Sequence, residues 1–223
     1  MGRATSLPSS TGLGWIAIIR LGLVQAAIGA IVMLATSLLN RVMVVEYSLV
    51  AAVPAGLVAW HYAVQLARPL WGHGSDRGRR RTPWIVGGMA MLAGGALLAV
   101  RATVMLPESA LLGGALAIFA FTMIGAGVGA AGTSMLALLA SGVVPERRAA
   151  AAAVTWTMMI AGIVVAAGVA GALLDPFSEA RLIGVAGDVA LTAFALACAA
   201  IWRLEPRAMQ DFSDRPRGEV PGF

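Results

Sequence analysis

Long stretches of this chain carry almost no polar side chain, and short polar clusters separate them. The apolar runs Leu49 to Leu70 and Trp84 to Val100 are each long enough to cross about 30 Å of hydrocarbon as a helix. Extending this reading along the chain predicts six spans. The first covers about Leu21 to Leu39, with Trp15 to Arg20 as an interfacial lead-in, and the second about Leu49 to Trp71. The third covers about Trp84 to Val104, the fourth about Leu111 to Leu139, the fifth about Ala149 to Leu174 and the sixth about Leu182 to Trp202. Turn-forming clusters fall between them: Pro107-Glu108-Ser109, Pro145-Glu146-Arg147-Arg148 and Asp175-Pro176-Phe177-Ser178. The expected class is therefore an all-α integral membrane protein. It divides into a cytoplasmic N-terminal and interfacial segment (1–20), a six-helix bundle (21–203) and a proline- and charge-rich tail (204–223).

Composition supports the class. With 59% apolar and 12% charged residues, and a mean hydropathy of +0.85, the chain has too little polar surface to cover a soluble globule. The lipid bilayer is its first partner. All sixteen basic residues are arginine, and juxtamembrane arginines facing an anionic leaflet explain the charge without nucleic acid. Arg3, Arg77, Arg79, Arg80, Arg81, Arg147, Arg148, Arg203, Arg207, Arg215 and Arg217 would lie on one face, against Arg41, Arg101 and Arg181 on the other. That bias places both termini in the cytoplasm. Arg20 and Arg68 lie at span ends, where long side chains can snorkel.

Between spans two and three lies the basic island Gly72-His73-Gly74-Ser75-Asp76-Arg77-Gly78-Arg79-Arg80-Arg81. Gly72 allows close helix approach, Asp76 can cap or pair with a helix end, and Arg77, Gly78, Arg80 and Arg81 complete the loop. The pattern resembles the signature loop of the major facilitator superfamily, one residue short after Arg77. A six-span chain would then resemble one half of a major facilitator fold, as two inverted three-helix repeats.

A narrower resemblance rests on Leu39-Asn40-Arg41-Val42-Met43-Val44-Val45-Glu46, on Gly72 to Asp76, and on Arg80-Arg81-Thr82-Pro83-Trp84-Ile85. Gly125-Ala126-Gly127, Pro145-Glu146 and the stretch from Arg181 to Arg207 extend it. These segments are similar to the PucC/LhaA family of photosynthetic bacteria. The resemblance implies assembly of light-harvesting complexes or delivery of bacteriochlorophyll to them, with light-harvesting or reaction-centre subunits as partners. It also implies a second six-helix half, because that family spans the membrane about twelve times. The family's polar positions in span four are glycine and alanine here, from Gly127 to Gly132.

Polar groups inside the spans are the site candidates, since hydrocarbon makes them costly without a partner or a wet cavity. His61, Gln65 and Arg68 share a face at helical spacing. His61 could ligate the magnesium of a bacteriochlorophyll, titrate during transport or hydrogen-bond a neighbouring helix. Asp188 lies about two turns into span six and calls for a donor. Arg41 and Glu46 are about 140° apart on an ideal helix, so with Asn40 they are expected to reach other spans or water. Gly127-x-Gly129-x-x-Gly132 matches a dinucleotide fingerprint in letters only, because it lies mid-span without a preceding strand. Gly125 and Gly129 instead form a small-residue packing face. Met33, Met43, Trp60, Met89, Met91, Met158 and Met159 are expected to face lipid. No hydrolytic, redox or metal-spaced constellation emerges, so the reading is not an enzyme. The alternative function is a secondary transporter of a small amphipathic solute, which the facilitator-like loop alone favours.

Overall fold

The computed structural model describes residues 12–69 and 80–204. Loop residues Gly72, Asp76, Arg77 and Gly78, and the tail beyond 204, lie outside the described residues. Six long helices form among the described residues: α1 Trp15–Glu46, α2 Ala52–Gln65, α3 Thr82–Met105, α4 Ala110–Gly142, α5 Arg148–Leu173 and α6 Glu179–Ile201. Five of them are long and apolar enough to cross a membrane. The sixth, α2, has 14 residues and is followed by a turn at Leu66 and Ala67, after which Arg68 and Pro69 are helical again; the expected end at Trp71 lies outside the described residues.

Helix starts follow local chemistry. Ser109 and Ser178 precede α4 and α6, and their hydroxyls accept from the Leu112 and Arg181 amides at 3.4 and 3.2 Å. Pro83 stands in the first turn of α3, where a missing N–H costs nothing. The lead-in expected at Trp15 to Arg20 is helix, continuous with α1. This helix then runs to Glu46 through two π-helical stretches, Leu34–Leu38 and Val42–Glu46.

The most extensive pairings are α3 with α4, α1 with α5, α1 with α6, α3 with α6, and α2 with α4. Exchanging α1 with α4, α2 with α5 and α3 with α6 maps this set onto itself. The contact pattern thus divides the six helices into two corresponding three-helix repeats. Each outer helix leans on the opposite repeat: α2 on α4, and α5 on α1.

Close approach, not greasiness, holds helices together in a bilayer, because lipid is as apolar as leucine. A Cβ on Gly29 would lie 2.7 Å from the Met159 carbonyl oxygen of α5, and one on Gly125 would lie 2.7 Å from that of His61 in α2. The two repeats thus use the same device in corresponding places. Between α3 and α4, Gly88 and Gly127 interlock: a Cβ on Gly127 would meet the Leu92 nitrogen at 2.6 Å and the Gly88 oxygen at 2.7 Å. The dinucleotide-like glycines therefore lie within a packed helix. The core between α1, α3, α4 and α6 holds Leu21, Ile31, Leu34, Met43, Ile85, Met89, Leu92, Phe121, Ile124 and Met135. Met33, Met43 and Met89, expected to face lipid, are buried here, whereas Trp60 is exposed.

Candidate functional site

The polar residues that the sequence singles out in the spans occupy three separate places. On α2, the buried stripe is Pro54, Leu57, His61 and Gln65, a helical repeat that lays one face on α4. His61 is 1% exposed. Its Nε2 lies 2.8 Å from Gln65 Nε2, and Arg68 donates to Gln65 Oε1. Arg68 accepts nothing, so it takes the carbonyl end of the Gln65 amide and turns the NH₂ end toward the histidine. His61 Nε2 must then be the unprotonated, accepting nitrogen, and the ring proton belongs on Nδ1. That Nδ1 is buried with no hydrogen-bond partner. Beside it, Trp60 Nε1 donates to Thr122 Oγ1 of α4 at 2.8 Å.

At the end of α1, Arg41 and Glu46 pair with each other at 3.9 Å. This corrects the expectation that they would diverge. The stretch Val42–Glu46 is π-helical, and a wider turn with i→i+5 bonding brings residues five apart onto one face. The Arg41 side chain is 58% exposed, so the pair contributes little to stability. Asn40, between the two π-helical stretches, has no side-chain hydrogen bond among the described residues.

Asp188 points outward from α6 and lines an apolar groove between α1, α5 and α6. It has no hydrogen-bond or ion-pair partner among the described residues, contrary to the donor expected within the bundle. A second groove, between α2, α3 and α4, has a volume of about 430 Å³ and includes Trp60. Of the two, the α1/α5/α6 groove carries the carboxyl group. The site residues are thus not brought together, since α2 and α6 share no extensive contact.

Sequence reasoning missed the bonds that tie helix ends. Arg20 does not snorkel: its Nε donates to the Ala200 carbonyl at 2.8 Å and its NH2 group to that of Trp202, a cation at the carbonyl end of α6. Arg81 of the loop motif donates to Ala137 O and Ser141 Oγ, both at 2.7 Å, at the carbonyl end of α4. Arg80, before it, is exposed. At the opposite end, Tyr47 donates to Glu179 at 2.8 Å and stacks edge-on against Phe177. Burial first, and then that hydrogen bond, push the Tyr47 phenol up to about 12. Only the arginines' positions at span ends hinted at such roles.

Fold and polar groups together define a polytopic helical membrane protein with buried polar contacts and lateral apolar grooves, and no metal-binding cluster of His, Cys, Asp or Glu occurs among the described residues. Comparison with known proteins makes this particular. The family model for "PUCC protein" matches residues 38–221, and the chain belongs to that family. It is 54% identical over 198 residues to the bacteriochlorophyll synthase 44.5 kDa chain of Rhodobacter capsulatus, covering 87% of this chain and 46% of that one. It is 32% identical over 214 residues to Protein PucC of Cereibacter sphaeroides, covering 91% and 46%. It is 34% identical over 222 residues to Protein PucC of Rhodobacter capsulatus, covering 92% and 47%. The chain spans about half the length of these relatives.

Bacteriochlorophyll can be tested against His61 directly. An axial ligand needs a free imidazole lone pair and a ring face open to the macrocycle. Here the Nε2 lone pair takes the Gln65 N–H, and Nδ1 holds the proton inside the protein. His61 does not fit as a magnesium ligand.

Proposed function

We propose that the chain acts, without catalysing a reaction itself, in assembling photosynthetic complexes, holding bacteriochlorophyll or antenna subunits against its lateral surface. The observation that carries this reading is the family match over residues 38–221, joined to 54% identity with a relative named for bacteriochlorophyll synthesis. Two lateral grooves lined almost wholly by apolar side chains suit hydrophobic partners within the bilayer. The secondary-transporter alternative gains nothing from these matches. In this reading the arginine-rich end, with Arg80, Arg81, Arg147 and Arg148, faces the cytoplasm. Deleting the protein should lower the level of assembled antenna while pigment synthesis continues. Unchanged antenna in the deletion strain overturns the proposal.

A further inference from the structure

The groove between α1, α5 and α6 has a volume of about 320 Å³. It runs along the helices from Gly162 to Leu173 on α5 and from Val185 to Leu196 on α6, about 16 Å or three turns. Its floor includes Ala26, Ala30 and Ala166, small residues of the kind that let another helix backbone come close. None of the described residues fills it, and α5 is buried along a single stripe. Asp188 stands on its wall, nine residues from the start of α6 and thirteen from its end, about 13 and 20 Å along the axis. A carboxyl group at that depth, flanked by hydrocarbon, calls for a donor or a cation. No Arg or His lines the groove.

We propose that this groove receives a transmembrane helix of a partner polypeptide carrying an Arg, Lys or His at mid-bilayer depth, seated against Asp188. Charge complementarity selects this occupant. Lipid chains bring no donor to the carboxyl group, and a second copy docked symmetrically would set two Asp188 side chains against each other. The proposal deepens the assembly reading, and rests on it only for the partner's identity.

The test uses the whole chain in phospholipid vesicles and a dansyl-labelled synthetic Leu/Ala-rich transmembrane peptide with either arginine or leucine at its centre. Energy transfer from the protein's tryptophans reports binding. The central-arginine peptide should bind about tenfold tighter than the central-leucine one, and Asp188→Leu should erase that preference. Thr192→Trp, which blocks the trough one turn beyond Asp188, should release both peptides. Equal binding of the two peptides, or a preference surviving in Asp188→Leu, overturns the proposal. So does chain-to-chain cross-linking through Thr192→Cys, which would name a second copy as occupant. Because this readout needs no antenna, it can fail or succeed independently of the deletion experiment.

Discussion

Gly125 of α4 lies so close to His61 of α2 that a Cβ on the glycine would be 2.7 Å from the histidine's carbonyl oxygen. That contact seats α2, whose buried face is only four residues wide, and it fixes where the His61, Gln65 and Arg68 side chains lie.

Replacing Gly125 by alanine should therefore push α2 off α4 and cost on the order of 1–3 kcal/mol, the usual penalty of forced overpacking. Gly132, on the same helix with open space around it, is the control. Gly132→Ala should be neutral or stabilising by about 1 kcal/mol, the helix-propensity difference. Unfolding of both variants by denaturant titration in detergent micelles measures the contrast, and equal midpoints would refute the tight contact.

The orientation of Gln65 set by Arg68 assigns the His61 proton to Nδ1. Nitrogen-15 spectra of selectively labelled histidine should show a buried ring protonated at Nδ1 only. Gln65→Leu should leave Nε2 unpaired and cost about 1–3 kcal/mol. The double variant with His61→Leu should recover most of that loss, because removing both partners strands neither. A Gln65→Leu chain as stable as the parent would show that the bond contributes nothing.

Tyr47 gives a pH dependence of known sign. Its phenol is pushed from its ordinary value of 10 up to about 12, so the folded state favours the neutral, donating form. The stabilisation is complete below pH 10 and disappears as pH rises through about 12. Thermal unfolding of the parent protein should weaken across that window, while Tyr47→Phe should lose this component and start less stable. Absorbance titration of phenolate should assign the high-pH step to Tyr47, and a step near 10 lost in Tyr47→Phe would refute the shift.

The bundle was legible in the sequence because lipid imposes one demand everywhere: some twenty apolar residues per crossing. Apolar length located α3, α4, α5 and α6 to within a few residues. It gave no sign of the turn at Leu66 and Ala67, which interrupts the helix between Gln65 and Arg68, because both residues are apolar. The Arg41 and Glu46 pairing escaped for a different reason. An α-helical wheel separates them, and the π-helical stretch that reunites them leaves no mark in residue type. Close glycine contacts were visible as a class, but which helix Gly125 or Gly127 meets depends on tertiary arrangement. The partnerless state of Asp188 was equally hidden, because spacing identifies a buried carboxyl group's depth and not the direction it faces.

The exchange of outer helices between repeats bears on how such a chain is made. As the chain emerges during synthesis, α1 enters the membrane well before α5 and α6, the helices it packs against most; Arg20 binds a carbonyl 180 residues downstream. Neither triplet packs extensively within itself, so α1 finds its permanent neighbours only once α5 and α6 have been made, and until then its small-residue surfaces lie open to whatever other helices share the bilayer.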